Sequence, residues 1–214
     1  MNDNRNYKYT SGYIENRPEY DTVIELISND KNILDLGCGE GTLAVRLKEE
    51  KKAIMTGIEI SPSGVEACLS KGIYAIEGKI DESLPFSDKS FDISVCNVTM
   101  QMVNYPEVTL QEMQRVSKEY LLISFPNFGY LLNRLDLLIH GRMPRKMLYG
   151  YTWYNTGHIH QFSLSDFKAL VNNTEGLKVK KISIVNTGNM IFDVLSKILP
   201  NVFAKIIVVK VDIC

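Results

Sequence analysis

Short apolar runs alternate along the chain with segments in which apolar residues recur at helical spacing. The runs predict seven strands, at residues 32–36, 53–59, 73–77, 91–96, 120–124, 177–185 and 205–211. Helices are predicted at 18–27, 42–50, 62–71, 106–117, 163–171 and 191–199. This alternation is typical of a parallel sheet covered on both faces, so we expect a doubly wound, mostly parallel, seven-stranded α/β fold. The last two strands lack a full crossover between them, which predicts an antiparallel pair at one edge.

Two regions stand apart from this alternation. Residues 1–16 show no periodicity and are predicted to form a flexible leader to a single domain that spans 1–214. Residues 125–162 form a long insertion. An apolar stripe within it predicts a helix packed against the core, with the members Phe128, Leu131, Leu132, Leu135, Leu138 and Ile139. Because long insertions in compact domains often bind ligands or cover them, a lid is the alternative. On the helix after Pro62 we expect Val65, Cys68 and Leu69 to face inward.

Composition narrows the function classes. The 214 residues are 45% apolar and 23% charged, as in ordinary globular proteins. The net charge of −1 argues against a nucleic-acid or membrane-surface role. The N-terminal residues lack an apolar signal core, and the apolar region 190–211 is broken by charges and a proline, so a cytoplasmic location is predicted. The four cysteines include no Cys-x-x-Cys pair, so no metal site is predicted.

The first predicted strand runs into an acid and three alternating glycines, Asp35-Leu36-Gly37-Cys38-Gly39-Glu40-Gly41. Glycines at such a turn let the main chain approach a nucleoside-type cofactor closely. A dinucleotide loop would need glycine at position 42, where Thr42 stands, and Asp35 is an unfavourable neighbour for a pyrophosphate. The loop therefore favours a ligand that lacks phosphates and carries positive charge. A NAD-binding oxidoreductase remains a disfavoured alternative.

A second acid closes the second strand. Glu59 lies 24 residues after Asp35, where a carboxylate accepts hydrogen bonds from ribose hydroxyls. Open α/β sheets bind ligands at the carboxyl ends of their strands, so one crevice should collect residues from several strand ends. The candidate cofactor-binding residues are Asp35, Gly37, Cys38, Gly39, Gly41, Glu59, Ile60, Lys79, Ile80, Asp81, Asn97 and Thr99. For Asn97, a contact with cofactor or substrate and a plain strand-end cap are equally good interpretations.

The loop resembles motif I of the class I S-adenosylmethionine (SAM)-dependent methyltransferases, and residues 84–92 resemble the segment such enzymes carry before the fourth strand. Other segments resemble one branch, the methionine-biosynthesis MetW family. Together with the loop segment 35–43 itself, they are residues 90–92, 99–101, 112–116, 124–129, 141–144, 153–156, 159–160 and 199–204. The resemblance implies SAM as cofactor, S-adenosylhomocysteine (SAH) as product and a small-molecule methyl acceptor. The family also implies an alternative, an accessory protein that assists homoserine O-acetyltransferase in methionine biosynthesis with little or no methyl transfer of its own.

The chain departs from the family at three places, one of which is the leader, 1–16, which has no counterpart there. Lys79 stands where the family has an Asp near the adenine edge, so adenine recognition would shift to main chain or to Asp81. Gly157 and His158 replace a Pro-Asn pair.

Methyl transfer needs alignment of donor and acceptor, exclusion of water and sometimes a base. The candidate catalytic residues are His158, His160 and Tyr154. An imidazole titrates near neutral pH and suits a general base, although anchoring the turn before Ser163 is the simplest role for either histidine. A metal pair would lack a third ligand nearby. Tyr154 could wall a substrate pocket or only pack.

Overall fold

The computed structural model describes residues 17–144, 153, 154, 156–185 and 189–214. The predicted leader, 1–16, lies outside the described residues, and so do 145–152 and 155 of the predicted insertion.

The strands form one seven-stranded sheet in the order β3-β2-β1-β4-β5-β7-β6. Their bounds are β1 Asn32–Leu36, β2 Ile54–Glu59, β3 Tyr74–Glu77, β4 Phe91–Asn97, β5 Ser117–Pro126, β6 Leu177–Ile184 and β7 Ile206–Ile213. Strands β1 to β5 pair in parallel, whereas β7 runs antiparallel to both β5 and β6. This arrangement confirms the predicted doubly wound sheet with its antiparallel pair at one edge.

Eight helices are present in the described residues: α1 Pro18–Glu25, α2 Thr42–Lys51, α3 Pro62–Ser70, α4 Pro106–Val116, α5 Leu131–His140, α6 Leu164–Asn172, α7 Met190–Ile198 and α8 Pro200–Phe203. A 3₁₀ turn at Met100–Met102, which the sequence pattern did not predict, follows β4. Proline occupies the first turn of α1 and α3, where its fixed φ fits and its missing N–H is not needed. Ser163 and Asp166 form a capping box at the start of α6.

The core consists of two apolar layers, one on each face of the sheet. Alternate residues of β1 enter opposite layers, Ile33 on one side and Leu34 on the other, and both are fully buried. On the Leu34 side, the Phe125 ring lies 4.8 Å from the rings of both Phe162 and Phe167. These contacts bring the end of β5, the segment before α6 and α6 itself together beside the carboxyl ends of the strands.

Two burial predictions were wrong. Leu69 is 52% exposed, because one step along α3 turns it about 100° away from the fully buried Cys68. The α5 stripe is half-buried only in its first turn, and Leu138 and Ile139 are 80% and 69% exposed. The sequence pattern correctly predicted the helix, but no described element lies over its second half.

Asn127 fixes the point where the chain leaves β5. Its side chain is fully buried, and its Nδ2 donates to the carbonyls of Pro200, Asn201 and Ala204 at 3.3, 3.1 and 2.9 Å. Its Oδ1 accepts from the N–H groups of Gly129 and Leu164 at 3.0 and 3.2 Å. One amide therefore ties together the start of the insertion, the start of α6 and α8.

Candidate cofactor-binding site

The glycine loop leaves β1 through three residues in the left-handed region. The φ angles of Gly37, Gly39 and Gly41 are 74°, 57° and 79°, values that other residues rarely adopt. The Gly37 N–H donates to the carbonyl of Ile58 at 2.8 Å, which holds the loop against β2. A Cβ on Gly37 would come within 2.6 Å of Thr99 Cγ2, so the loop also passes close to the end of β4.

Glu59 closes β2 and faces the same loop. Its Oε2 accepts from the Gly39 N–H at 2.8 Å, and its Oε1 accepts from the Ser61 N–H at 3.0 Å. The carboxylate is 5% exposed, so these N–H groups replace water around a buried charge. Glu59 therefore joins the glycine loop to the start of α3. An ionised carboxylate accepts at both oxygens and in several directions, so it can hold a ligand hydroxyl as well as main-chain donors.

Asp35 lies beneath the loop, paired in the sheet register with Gly57 of β2 and Val95 of β4. It is 1% exposed, and its Oδ1 has no hydrogen-bond partner among the described residues. Burial, and next the negative charge of Glu59, raise the pKa of Asp35 to about 7. A buried carboxyl group with an unpaired oxygen would be stabilised by a hydrogen-bond donor or a positive charge beside it.

The carboxyl end of β4 is held by a buried polar network. The Asn97 Nδ2 donates to Glu19 Oε1 of α1 at 3.3 Å, and the Asn97 Oδ1 accepts from the Ser124 hydroxyl at 2.6 Å. Val98 follows with φ +50°, a rare conformation for a β-branched residue, and its N–H donates to the Ser124 carbonyl and Oγ, both at 3.0 Å. The Asn97 amide is thus engaged at both ends within the protein, which favours the strand-end interpretation.

Glu19 and Ser124 were missed by the sequence analysis, although a signal existed for each. Glu19 is 1% exposed and lies four residues before Val23, on the apolar stripe of α1, where an acid is unusual. Ser124 is a polar residue inside the apolar run of β5.

Of the predicted cofactor-binding residues after β3, two are buried and one is exposed. Ile80 and Asp81 are both 7% exposed, and Asp81 Oδ2 accepts from the Asn104 N–H at 2.7 Å. Lys79 is exposed and pairs with Glu82 at 2.9 Å, so its charge is directed to the surface. After β2, Ile60 is half-buried beside the Glu59 and Ser61 contact. Asp81 is therefore buried against the turn after β4, whereas Lys79 faces the surface.

Cys38 packs into space that Gly57 provides. A Cβ on Gly57 would lie 2.5 Å from the Cys38 sulfur, so any larger residue at this position of β2 would force Cys38 to shift. The Cys38 sulfur lies 3.6 Å from that of Cys68, and both thiols are buried. The contact with Cys68, followed by burial, raises the pKa of the Cys38 thiol, so it packs as a neutral group.

The two candidate histidines lie next to the turn after β4. The N–H groups of Ile159 and His160 both donate to the carbonyl of Gln101, at 2.8 and 3.0 Å. The His160 Nε2 is 3.3 Å from the carbonyl of Asn104, and the His158 ring lies edge-on to Phe128 at 6.4 Å. The backbone of this segment is thus tied to Gln101 in the turn after β4.

Tyr154 is placed differently from the histidines. It is 72% exposed and packs edge-on against Trp153. The catalytic roles of all three candidates stay predictions.

The described residues contain neither a membrane-spanning helix nor a metal cluster. No helix among them is both long and apolar enough to cross a bilayer. No group of three or more His, Cys, Asp or Glu side chains in that part of the chain is arranged to hold a metal ion.

Comparison with known proteins gives a family and a fold. A family model described as methionine biosynthesis protein MetW matches residues 17–211. The bifunctional methionine biosynthesis protein MetXA/MetW of Rhodopirellula baltica is 30% identical over 161 residues, which are 71% of this chain and 26% of that protein. The chain spans between about a quarter and about half of the length of the curated relatives it matches first.

Solved structures agree on the fold. A SAM-dependent methyltransferase from Thermotoga maritima superposes with a TM-score of 0.65 at 20% identity, over 92% of this chain and 88% of that one. The magnesium protoporphyrin IX methyltransferase of Synechocystis, solved with bound SAH, superposes with a TM-score of 0.64 at 15% identity, over 91% and 82%. These likenesses establish a class I methyltransferase fold.

Proposed function

This chain belongs to the MetW family of methionine biosynthesis proteins, within the class I methyltransferase superfamily, and we propose that it is a SAM-dependent methyltransferase acting on a small-molecule acceptor. The observation that carries the proposal is the pair of buried carboxylates, Asp35 and Glu59, at neighbouring strand ends beside a loop of left-handed glycines. Burial and the charge of Glu59 raise the pKa of Asp35, so a cationic ligand would relieve the pair and an anionic pyrophosphate would not. SAM carries a sulfonium and an ammonium, and their positive charges complement the two buried acids.

We assign roles to the chain's own residues on this basis. Glu59 would accept hydrogen bonds from the ribose hydroxyls, and the bare glycine backbone would let the cofactor lie against the loop. Asp81 would take the adenine side in place of Lys79. Bound SAM supplies the electrophilic methyl group, so the protein needs only to align the acceptor and exclude water.

A general base would lie at the ends of β4 and β5. His158 and His160 are the nearest candidates from the sequence, because their segment is hydrogen-bonded to Gln101, just after β4. Either imidazole could take a proton from an acceptor that must lose one.

Calorimetry tests the cofactor. We expect heat from SAM and from SAH and none from NAD; heat from NAD alone would overturn the proposal. Release of SAH in a screen of small amines, alcohols and carboxylic acids then identifies the acceptor class.

One observation favours a second function. In the Rhodopirellula baltica protein, a MetXA part and a MetW part share one chain. We therefore also propose an accessory role, in which this chain assists a homoserine O-acetyltransferase. If acetyltransferase activity is the same with and without this chain, the accessory role is wrong.

A further inference from the structure

Two of the four cysteines lie side by side where the glycine loop packs on α3. The Cys38 and Cys68 sulfurs are 3.6 Å apart, close enough for one thiol to donate to the other. Cys38 is 9% exposed, and Cys68 is fully buried. An S–S bond is about 2.05 Å long, so the two sulfurs need to close by about 1.5 Å to reach it. A small movement therefore separates the two thiols from bonding distance.

Cys68 also supports the glycine loop through its own sulfur. Its thiol donates to the carbonyl of Gly39 at 3.4 Å, and a Cβ on Gly41 would lie 2.9 Å from the same sulfur. The N–H of the same Gly39 donates to the carboxylate of Glu59. Gly39 is thus held through both of its polar groups, and a displacement of Cys38 or Cys68 would disturb it.

We propose that Cys38 and Cys68 form a modification site, which a peroxide converts to a disulfide and which then lowers the affinity of the glycine loop for its ligand. The effect on SAM rests on the methyltransferase function proposed above, whereas the disulfide itself does not. Forming the S–S bond removes the S–H that donates to the Gly39 carbonyl, and it draws Cys38 towards α3. Because Cys38 directly precedes Gly39, the hydrogen bond from Gly39 to Glu59 would be distorted as well.

The oxidation is a two-electron reaction that balances with hydrogen peroxide. Cys38, the more exposed of the pair, attacks one peroxide oxygen as its thiolate, so that an S–O bond forms and the O–O bond breaks. The departing oxygen takes the thiol proton and leaves as water. The Cys68 sulfur then attacks the Cys38 sulfur, the S–S bond forms, and the oxygen leaves with the second thiol proton as another water. Both thiols are oxidised, and the peroxide is reduced to water.

Burial of the pair makes the reaction depend on the state of the loop. The attacking form of a cysteine is the thiolate, and the contact with Cys68, followed by burial, raises the pKa of the Cys38 thiol. The pair therefore reacts slowly while the loop is packed, and oxidation has to wait for the loop to open locally. A ligand that binds only the closed loop reduces the open fraction, so bound SAM should protect both thiols.

The test uses the full chain carrying Cys214→Ser, which removes the exposed thiol that would link two chains. This parent chain is treated with hydrogen peroxide, with and without SAM, and its free thiols are then alkylated. Peptide mass spectrometry shows whether Cys38 and Cys68 are joined, and calorimetry measures SAM affinity before treatment, after it and after reduction with dithiothreitol.

Two variants of the parent chain separate the pair from other thiols. Cys68→Ser removes one sulfur of the pair but retains a hydroxyl that can donate to the Gly39 carbonyl. Cys96→Ala is the matched control, because it removes a buried thiol of β4 and leaves the pair intact. Thermal unfolding checks that each variant is folded.

We expect the disulfide in the parent chain and in Cys96→Ala, and slower formation of it when SAM is bound. Oxidation should weaken SAM binding roughly tenfold, because one or two hydrogen bonds of the loop are lost, and dithiothreitol should restore the affinity. Peroxide should leave the SAM affinity of Cys68→Ser unchanged. Two free thiols at Cys38 and Cys68 after prolonged treatment would overturn the proposal, and so would a disulfide that leaves SAM affinity unaltered. A reduced chain that forms the disulfide but never binds SAM would count against the methyltransferase proposal and would support the modification site alone.

Discussion

The main-chain N–H of Gly39 donates a hydrogen bond of 2.8 Å to the buried carboxylate of Glu59. Glu59 therefore both holds the glycine loop at Gly39 and supplies, with Asp35, one of the two buried acids of the crevice. A ligand held by Glu59 therefore meets a loop whose position already depends on that acid.

Replacing Glu59 by Ala should weaken SAM binding by about 1–3 kcal/mol, because the ligand loses its acceptor and the Gly39 N–H loses its partner. Calorimetry with SAM measures the change. Glu77 is the matched control, because it pairs with Glu59 in the β2–β3 register but is exposed. Equal affinities for Glu59→Ala and Glu77→Ala would refute the ribose role.

We expect the raised pKa of Asp35 to make the free energy of unfolding fall as pH rises. Its pKa is about 7 in the folded chain against an ordinary 3.8, so between these values the folded state holds a proton that the unfolded state has lost. The contribution of this proton to the free energy of unfolding is complete below about pH 4. It falls by about 1 kcal/mol per pH unit as the pH rises to 7. Urea unfolding of Asp35→Asn from pH 5 to 8 should show a flatter dependence than the original chain. Parallel curves would contradict the raised pKa.

Adding one methyl group at Gly57 should disturb the cofactor loop from the neighbouring strand. The Ala Cβ would lie 2.5 Å from the Cys38 sulfur, so Cys38 and its loop must shift, at a cost of about 1–3 kcal/mol. We expect Gly57→Ala to lower both the unfolding free energy and SAM affinity. Adding Cys38→Ala removes the clashing sulfur and should restore part of both losses. A double variant no better than Gly57→Ala would show that the clash lies elsewhere.

We expect Asn127→Ala to destabilise the chain strongly. Three carbonyls and two N–H groups would lose their shared partner in a fully buried place, which should cost about 3 kcal/mol. Chemical denaturation measures the loss. Asn172→Ala, at an exposed position on α6, should stay within about 0.5 kcal/mol. Similar denaturation midpoints for the two variants would contradict the stabilising role of the Asn127 hydrogen bonds.

Local patterns were sufficient to predict the order of strands and helices and the glycine loop. Periodicity reports whether a face is apolar, and the spacing of Gly37, Gly39 and Gly41 fixes a turn of known shape. Neither signal predicts which residues distant in the sequence come into contact. The contact of Glu19 with Asn97 joins residues 78 apart, and only the assembled sheet brings them together.

The exposed half of α5 shows a second limit of prediction from local sequence patterns. Its amphipathic pattern correctly predicted a helix with an apolar face, and an apolar face normally indicates core. The pattern does not say whether the covering surface belongs to the same molecule. Leu138 and Leu34 are alike in type, yet one is 80% exposed and the other fully buried.

The placement of β7 has a consequence for synthesis on the ribosome. Strand β5 receives its outer neighbour only when residues 206–213 emerge, about eighty residues after β5 itself has been translated. Until then the apolar run from Tyr120 to Phe125 presents an unpaired edge, which is the kind of segment that chaperones shield and that aggregates when they are scarce. Slow codons or a pause between β5 and β7 should therefore lower the yield of soluble chain more than the same pause placed before β5.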